Sequence, residues 1–144
     1  MIYCDTAYLL KYYVEEPGSA EVRALIDNQL GVGSLSLARL ELAAAFHRKF
    51  RESIIEPDAH KTLVAQFTAD NSSGFWTWFD STRELVDIAS KQFANLPKQI
   101  FLRASDALHL VCAKEHGFRE IYSNDKHLLA AAKHFGLKGR NVIG

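Results

Sequence analysis

The amino-terminal stretch at residues 2–14 reads IYCDTAYLLKYYV. Its first three residues form a short apolar run, as buried strands do, and residues 7–14 follow a helical pattern. The stretch at residues 120–135 reads EIYSNDKHLLAAAKHF and repeats the same order of strand, acidic residue and helix. Strands separated by helices pair in parallel, because each helical crossover returns the chain to the same edge of the sheet.

Between these two stretches, helical and extended segments alternate in the same way. Ser81 and Glu84 form a capping box that starts one helix, and the aromatic run at residues 75–79 is either a short strand or an extended loop. We expect helices at residues 19–30, 36–51, 58–68, 81–96, 102–116 and 126–135, and strands at residues 2–4, 32–35, 120–123 and 141–143. The prediction is a single domain over residues 1–144, a helix-rich α/β/α sandwich with a short central parallel sheet.

The composition of the 144 residues excludes several classes of protein. Hydrophobic residues make up 48% and charged residues 24%, which is typical of neither disordered nor fibrous chains. Seventeen Lys and Arg residues balance seventeen Asp and Glu residues, so no overall basic charge points to nucleic acid. Cys4 and Cys112 lie far apart without zinc-like spacing, which argues against a disulfide scaffold and a zinc cluster.

No stretch of the sequence predicts a signal peptide or a membrane segment. Asp5 stands where a signal peptide needs its apolar run, and Lys11 interrupts the next apolar residues. No apolar stretch approaches the ~20 residues that a membrane-spanning helix needs. We therefore expect a soluble, cytoplasmic protein.

Two acidic residues follow predicted strands directly. Asp5 comes after the first strand, and Asp125 comes after the strand at residues 120–123. In a parallel α/β sheet, ligands bind outside the carboxyl ends of the strands, where both residues are expected to lie. The alternative for each is structural, because Asp is a favoured N-cap and a helix follows both positions.

Two further acids stand in helices that are apolar on nearly every side. Glu41 lies in an alanine-rich helix, and Asp106 lies in the segment ASDALHLVCA. A helix that is apolar all round is a buried one, and a buried carboxylate is rarely left without a partner. A buried ion pair is the structural alternative: Arg103 is one turn from Asp106, whereas Arg39 is poorly placed to reach Glu41.

These four acids together point to a cation. At ~5 Å and an effective dielectric constant of ~20, each pair of like charges costs roughly 3 kcal/mol, which raises carboxyl pKa values or attracts a cation. Carboxylate oxygens favour a hard ion, Mg²⁺ or Mn²⁺. Without the four acids the remaining charge is 17 − 13 = +4, which suits a phosphodiester substrate.

The sequence resembles the PIN-domain ribonucleases, and most of all the VapC-like toxins of toxin–antitoxin pairs. The resemblance is carried by MIYCDT at residues 1–6, Glu41, ASDALHL at residues 104–110 and YSNDKHL at residues 122–128. It implies an RNA-cleaving enzyme that acts on structured RNAs such as tRNA through water activated by Mg²⁺ or Mn²⁺. It also implies a homodimer and an inhibitory antitoxin. The implied catalytic and metal-binding residues are Asp5, Glu41, Asp106 and Asp125, with Thr6 and Ser123 as polar helpers.

The first helix is the expected contact for the antitoxin, since similar toxins use apolar grooves among their early helices. Tyr8, Leu9 and Tyr12 are the candidate residues there, and core packing is the alternative. Some relatives carry a further acid after the last one, whereas Leu128 and Leu129 follow here. The number of metal ions therefore stays open.

Three other functions remain as alternatives. An aspartyl-phosphate phosphatase also begins with a strand-end Asp, but the haloacid type has a second Asp where Ala7 stands. A dinucleotide-binding module would use the glycines at residues 31–33, which lack a third glycine. A non-catalytic PIN-like binding subunit is the third. The six histidines show no metal spacing and no catalytic triad.

Overall fold

Strands and helices alternate along the whole chain in the computed structural model, which describes residues 1–144. The strands are β1 (Ile2–Tyr3), β2 (Val32–Leu35), β3 (Trp76–Phe79), β4 (Glu120–Tyr122) and β5 (Lys138–Arg140). The helices are α1 (Thr6–Tyr13), α2 (Ser19–Asp27), α3 (Leu37–Arg51), α4 (Pro57–Ser73), α5 (Arg83–Asn95), α6 (Ala104–Glu115) and α7 (Lys126–Ala131), which a 3₁₀ turn (Ala132–Phe135) extends. The aromatic run is thus a strand, β3.

All strand pairs in the sheet are parallel. Strand β2 lies between β1 and β3, and β4 pairs with β5. A single parallel bridge between Cys4 and Tyr122 joins β1 to β4, and the Asp5 amide donates to the Tyr122 carbonyl at 3.1 Å. The strand order is therefore β3-β2-β1-β4-β5, and it reverses between β1 and β4. Such a switch point is where α/β sheets bind ligands.

Two hydrophobic cores lie on opposite faces of the sheet, because successive strand residues point in opposite directions. Tyr3 of β1 and Ile121 of β4 pack with α5, α6 and α7. Their neighbours Cys4 and Tyr122 pack with α1, α2, α3 and α4. This layering confirms the predicted α/β/α sandwich.

The prediction of a last strand at residues 141–143 is wrong. Strand β5 covers Lys138–Arg140, where charged residues alternate around Gly139 at the edge of the sheet. Charged side chains are common on edge strands because they oppose pairing with other chains. Asn141 ends the strand and accepts a hydrogen bond from the Tyr8 hydroxyl at 2.7 Å. The apolar pair that suggested a strand, Val142 and Ile143, follows this turn.

Several helix boundaries also differ from the prediction, most of all the end of α4. Helix α4 continues five residues past the predicted end, through a polar segment, to Gly74 with φ = 75°. Glycine suits this left-handed conformation at a helix end. Helix α5 is capped by Thr82, which accepts from the Leu85 amide at 3.2 Å, whereas Ser81 bonds to Ser36 at the start of α3. No helix in the structure is both long enough and apolar enough to cross a bilayer.

The glycines at residues 31–33 have a packing role. Gly33 lies in β2, and a Cβ at this position would come within 2.6 Å of the Phe79 ring. Only glycine allows this close approach without displacing that ring. A structural reason for Gly33 weakens the dinucleotide-binding alternative further.

Candidate active site

The four acids predicted from the sequence line one cavity of about 140 Å³. Asp5 follows β1 and Asp125 follows β4, so both lie at the switch point of the sheet. Helix α3 contributes Glu41, and helix α6 contributes Asp106. The remaining lining residues are Thr6, Ala7, Arg103, Ser105 and His109. Side chains from the first and last thirds of the chain therefore meet at one place.

Asp5 caps a helix and lines the cavity at the same time. Its Oδ1 accepts from the Tyr8 amide at 3.0 Å, which is the N-cap bond of α1. Its Oδ2 accepts from the Ser123 hydroxyl at 2.5 Å. Only 3% of the residue is exposed, and burial raises the pKa of its carboxyl to about 6. The structural and functional alternatives for this residue are thus compatible.

Asp125 likewise caps a helix and lines the cavity. Its Oδ1 accepts from the amides of His127 at 2.8 Å and Leu128 at 3.1 Å, which caps α7. Its other carboxylate oxygen, Oδ2, accepts a hydrogen bond from Arg103 at 2.8 Å. Ser123 accepts from the Asp125 amide at 2.9 Å while it donates to Asp5. Ser123, expected as a polar helper, therefore connects the two strand-end acids.

Arg103 forms the ion pair that was the structural alternative for Asp106. Its Nε lies 3.1 Å from Asp106 Oδ2, and another of its nitrogens binds Asp125. The sequence predicted the first of these pairs but not the second. The Arg103 side chain is 62% exposed, so water screens both pairs. Burial still raises the pKa of Asp106, although the guanidinium opposes this rise.

Glu41 has polar partners rather than an arginine. The Thr6 hydroxyl donates to its Oε1 at 2.8 Å, and His109 Nε2 lies 3.6 Å from the same oxygen. His109, and with it the Thr6 bond, lowers the pKa of Glu41 against the opposing effect of burial. Arg39 instead lies over the Trp78 ring, 6.0 Å from its centroid. Thr6 is thus a hydrogen-bond partner of Glu41, and both residues line the cavity.

His109 is a cavity residue that sequence reasoning missed. It is 1% exposed, and its Nδ1 lies 2.9 Å from the Tyr3 hydroxyl while Nε2 lies 3.1 Å from Thr6 Oγ1. The ring therefore links the Tyr3 hydroxyl to the Thr6 hydroxyl, and Thr6 in turn donates to Glu41. The available signal was its position three residues after Asp106, which places both on one helix face.

A family model supplies the identity that fits this geometry. The model of the PIN domain matches residues 2–134. The chain belongs to the PIN-domain family. A search of curated proteins finds no match to this PIN domain.

Several solved structures have the same fold as this PIN domain. The sarcin-ricin loop-cleaving toxin VapC20 of Mycobacterium tuberculosis aligns with a TM-score of 0.71 at 15% identity, over 91% of this chain and 95% of that one. FitAcB of Neisseria gonorrhoeae gives 0.72 at 17% identity, over 99% and 98%. VapBC2 of Rickettsia felis, bound to a promoter DNA fragment, gives 0.66 at 15% identity, over 98% of each.

The donor set of the PIN-domain cavity fits a divalent cation of the Mg²⁺ type. As the side chains stand, no three of the His, Cys, Asp and Glu residues are arranged to hold a metal ion. Mg²⁺ does not need three, because it keeps several waters and is usually held by one or two carboxylates plus substrate phosphate. Asp5 and Asp106 both line the cavity, and carboxylate oxygens are the ligands that such an ion prefers. Both residues therefore fit the ion.

Arg103 occupies carboxylate oxygens that a cation would need, so it should compete with the ion. We expect Arg103→Gln to bind Mn²⁺ about two- to thirtyfold more tightly, since two screened ion pairs, each worth about 0.2–1 kcal/mol, no longer have to be broken. Isothermal titration with Mn²⁺ measures this directly. Arg39→Gln is the control, because Arg39 is exposed in α3 and does not line the cavity. Weaker binding by Arg103→Gln would show that the arginine assists the ion.

The expectation for the first helix needs correction at two residues. Tyr8 and Leu9 are completely buried in the core beneath α1, so neither presents a surface to a partner. Tyr12 is partly exposed and lines a cleft of about 540 Å³ between α1 and α4. The other lining residues are Tyr13, Ala59, Thr62, Leu63, Gln66, Asp70 and Phe75. This aromatic cleft is the part of the first-helix prediction that the structure leaves accessible.

Proposed function

We propose that the protein is a metal-dependent endoribonuclease and the toxin of a toxin–antitoxin pair. The observation that carries this proposal is the meeting of four carboxylates from distant parts of the chain in one cavity at the switch point of a PIN fold. One structural neighbour is named as an RNA-cleaving toxin, and others are complexes of toxin and antitoxin. We propose RNA, including tRNA, as the substrate class, and Mg²⁺ or Mn²⁺ as the cofactor.

The polar side chains in and beside the cavity would then have different roles in the reaction. Asp5 and Asp106 would hold the divalent ion, which supplies activated water and charge stabilisation for in-line attack on the phosphodiester. Ser123 keeps the Asp5 carboxylate oriented through its 2.5 Å hydrogen bond. Thr6 and His109 keep Glu41 ionised, so that it can order water or accept a proton. Arg103, once released from Asp106 and Asp125, is placed to meet a substrate phosphate.

A phosphatase that forms an aspartyl phosphate is less compatible with the structure. The haloacid type needs a second Asp two residues after the first, and Ala7 lines the cavity at that position. An alanine side chain can neither donate nor accept a proton.

The cleft between α1 and α4 is our proposed antitoxin site. The Tyr12 ring centroid lies 5.5 Å from that of Tyr13 and 5.7 Å from that of Phe75, and all three rings line the cleft, so it offers aromatic surface to an apolar segment. We expect Tyr12→Ala to weaken binding of the antitoxin, with the product of a short adjacent reading frame as the probe in calorimetry. Unchanged affinity would place the antitoxin elsewhere. A homodimer is also part of the proposal, and sedimentation tests it.

RNA cleavage by the purified chain tests the proposed activity. We expect cleavage of total RNA in Mg²⁺ or Mn²⁺, and none when EDTA replaces the metal. Cleavage that continues in EDTA would contradict the metal requirement. A chain that binds RNA but never cleaves it would support the alternative of a PIN-like binding subunit.

A further inference from the structure

An exposed aromatic pair lies outside the chemistry described so far. Phe101, in the loop before α6, is 58% exposed, and His127, in the first turn of α7, is also exposed. Their ring centroids are 4.8 Å apart at an interplanar angle of 68°. A single exposed apolar ring is ordinary on a protein surface, so it is the position of this pair that carries the argument.

The pair stands at the rim of the acid cavity. Phe101 is two residues before Arg103, and His127 is two residues after Asp125. Arg103 and Asp125 both line the cavity and are joined by a hydrogen bond of 2.8 Å. The His127 amide also donates to Asp125 at 2.8 Å. Phe101 and His127 therefore stand next in the chain to the cavity residues around which the proposed cleavage takes place.

Exposed basic residues lie close in sequence to both rings. Lys98 and Arg103 are exposed in the loop that carries Phe101, and Lys126 is exposed directly beside His127. A surface that combines basic side chains with aromatic rings matches single-stranded nucleic acid, because the cations attract phosphates and the rings attract bases. Duplex RNA fits poorly, since its bases are already stacked inside the helix.

We propose that Phe101 and His127 form a stacking site for a nucleobase of single-stranded RNA next to the scissile phosphate. The proposal rests on the nuclease function and adds a substrate feature to it. Stacking uses the π-face that every base has, so it favours an unpaired nucleotide without selecting its identity. The enzyme would thus select loops and single strands at this position.

Binding of a labelled single-stranded RNA of about twelve nucleotides tests the proposal. The RNA is titrated against Asp106→Asn protein, with and without further changes, and followed by fluorescence anisotropy in Mg²⁺. We expect Phe101→Ala to weaken binding about five- to one-hundredfold, since a stacked base contributes about 1–3 kcal/mol. Phe101→Trp should bind within about threefold of the parent, because it keeps a π-face.

Two controls separate stacking from other causes. Phe93→Ala removes an exposed phenylalanine of α5 that does not line the cavity, and it should leave the affinity unchanged. Phe101→Ala should leave the slope of log affinity against log salt unchanged, whereas Lys126→Gln should reduce it by about one phosphate contact. A changed slope for Phe101→Ala, or a loss that Phe101→Trp shares, would overturn the stacking site.

The outcomes also distinguish failure of the stacking site from failure of the proposed nuclease function. If the parent protein binds RNA and the wild-type chain cleaves it, equal affinity of Phe101→Ala overturns only the stacking site. If the wild-type chain neither binds nor cleaves RNA, both proposals fall. If it binds RNA without cleavage, the affinities still decide whether Phe101 stacks on a base.

Discussion

Replacement of Asp106 by asparagine is expected to reduce the rate of RNA cleavage at least about a thousandfold. The change removes one negative charge from the 140 Å³ cavity and keeps the shape of the side chain. Charge stabilisation by a bound metal is worth several kcal/mol, and each 1.36 kcal/mol is a factor of ten in rate. Asp5→Asn should have an effect of the same size, because its amide still caps α1 through Oδ1.

Initial rates on RNA at several Mg²⁺ and Mn²⁺ concentrations measure this effect. Asp87→Asn is the matched control, because Asp87 is exposed in α5 and lies outside the acid cavity. Its rate should equal that of the wild type. Circular dichroism shows whether each variant is folded. Undiminished cleavage by folded Asp5→Asn or Asp106→Asn would refute a catalytic role for that acid.

Asp5→Asn is also expected to stabilise the metal-free protein at pH 7.5, by up to roughly 3 kcal/mol. The pKa of Asp5 is about 6 in the fold against an ordinary value of 3.8, so the folded state holds this proton more tightly than the unfolded state. Stability from this group is therefore full below pH 3.8 and is lost as the pH rises through 6. A difference of 2.2 pH units at 1.36 kcal/mol each gives the stated magnitude.

Urea unfolding in EDTA, followed by the fluorescence of Trp76 and Trp78, measures the effect. The stability difference between Asp5→Asn and the wild type should be large at pH 7.5 and should vanish near pH 4. Glu41→Gln is a control of opposite sign, because the pKa of Glu41 is lowered in the fold. The ionised Glu41 therefore stabilises the wild-type fold at neutral pH, and this stabilisation is lost in acid. Equal stability of Asp5→Asn and the wild type at both pH values would show that burial does not penalise the Asp5 charge.

The convergence of the acids could be predicted because two simple rules point to the same place. Parallel strands bring Asp5 and Asp125 to one edge, and an apolar helix makes an acid such as Asp106 conspicuous. Both strand-end acids also cap helices, so a structural role for either residue does not exclude a functional one. The geometry is thus accessible from sequence, whereas the catalytic roles stay a proposal.

Long-range partners could not be predicted. Arg103 binds Asp125 across 22 positions, and the Tyr3 hydroxyl meets His109 across 106. No local periodicity encodes such contacts, because they depend on how α6 packs on the sheet. Tyr8 and Leu9 were misjudged for the same reason, since the cores on both sides of β1 decide which face of α1 is covered.

The single bridge between Cys4 and Tyr122 has a consequence for the synthesis of the protein. Of the five strands, the central strand β1 is made first, and β4, which lies beside it at the switch point, is made fourth. On a ribosome the early segment therefore carries Asp5 and Glu41 without their counterparts from α6 and the end of β4. If the protein has the proposed nuclease function, a nascent chain would have no complete acid cavity until residue 125 has been made.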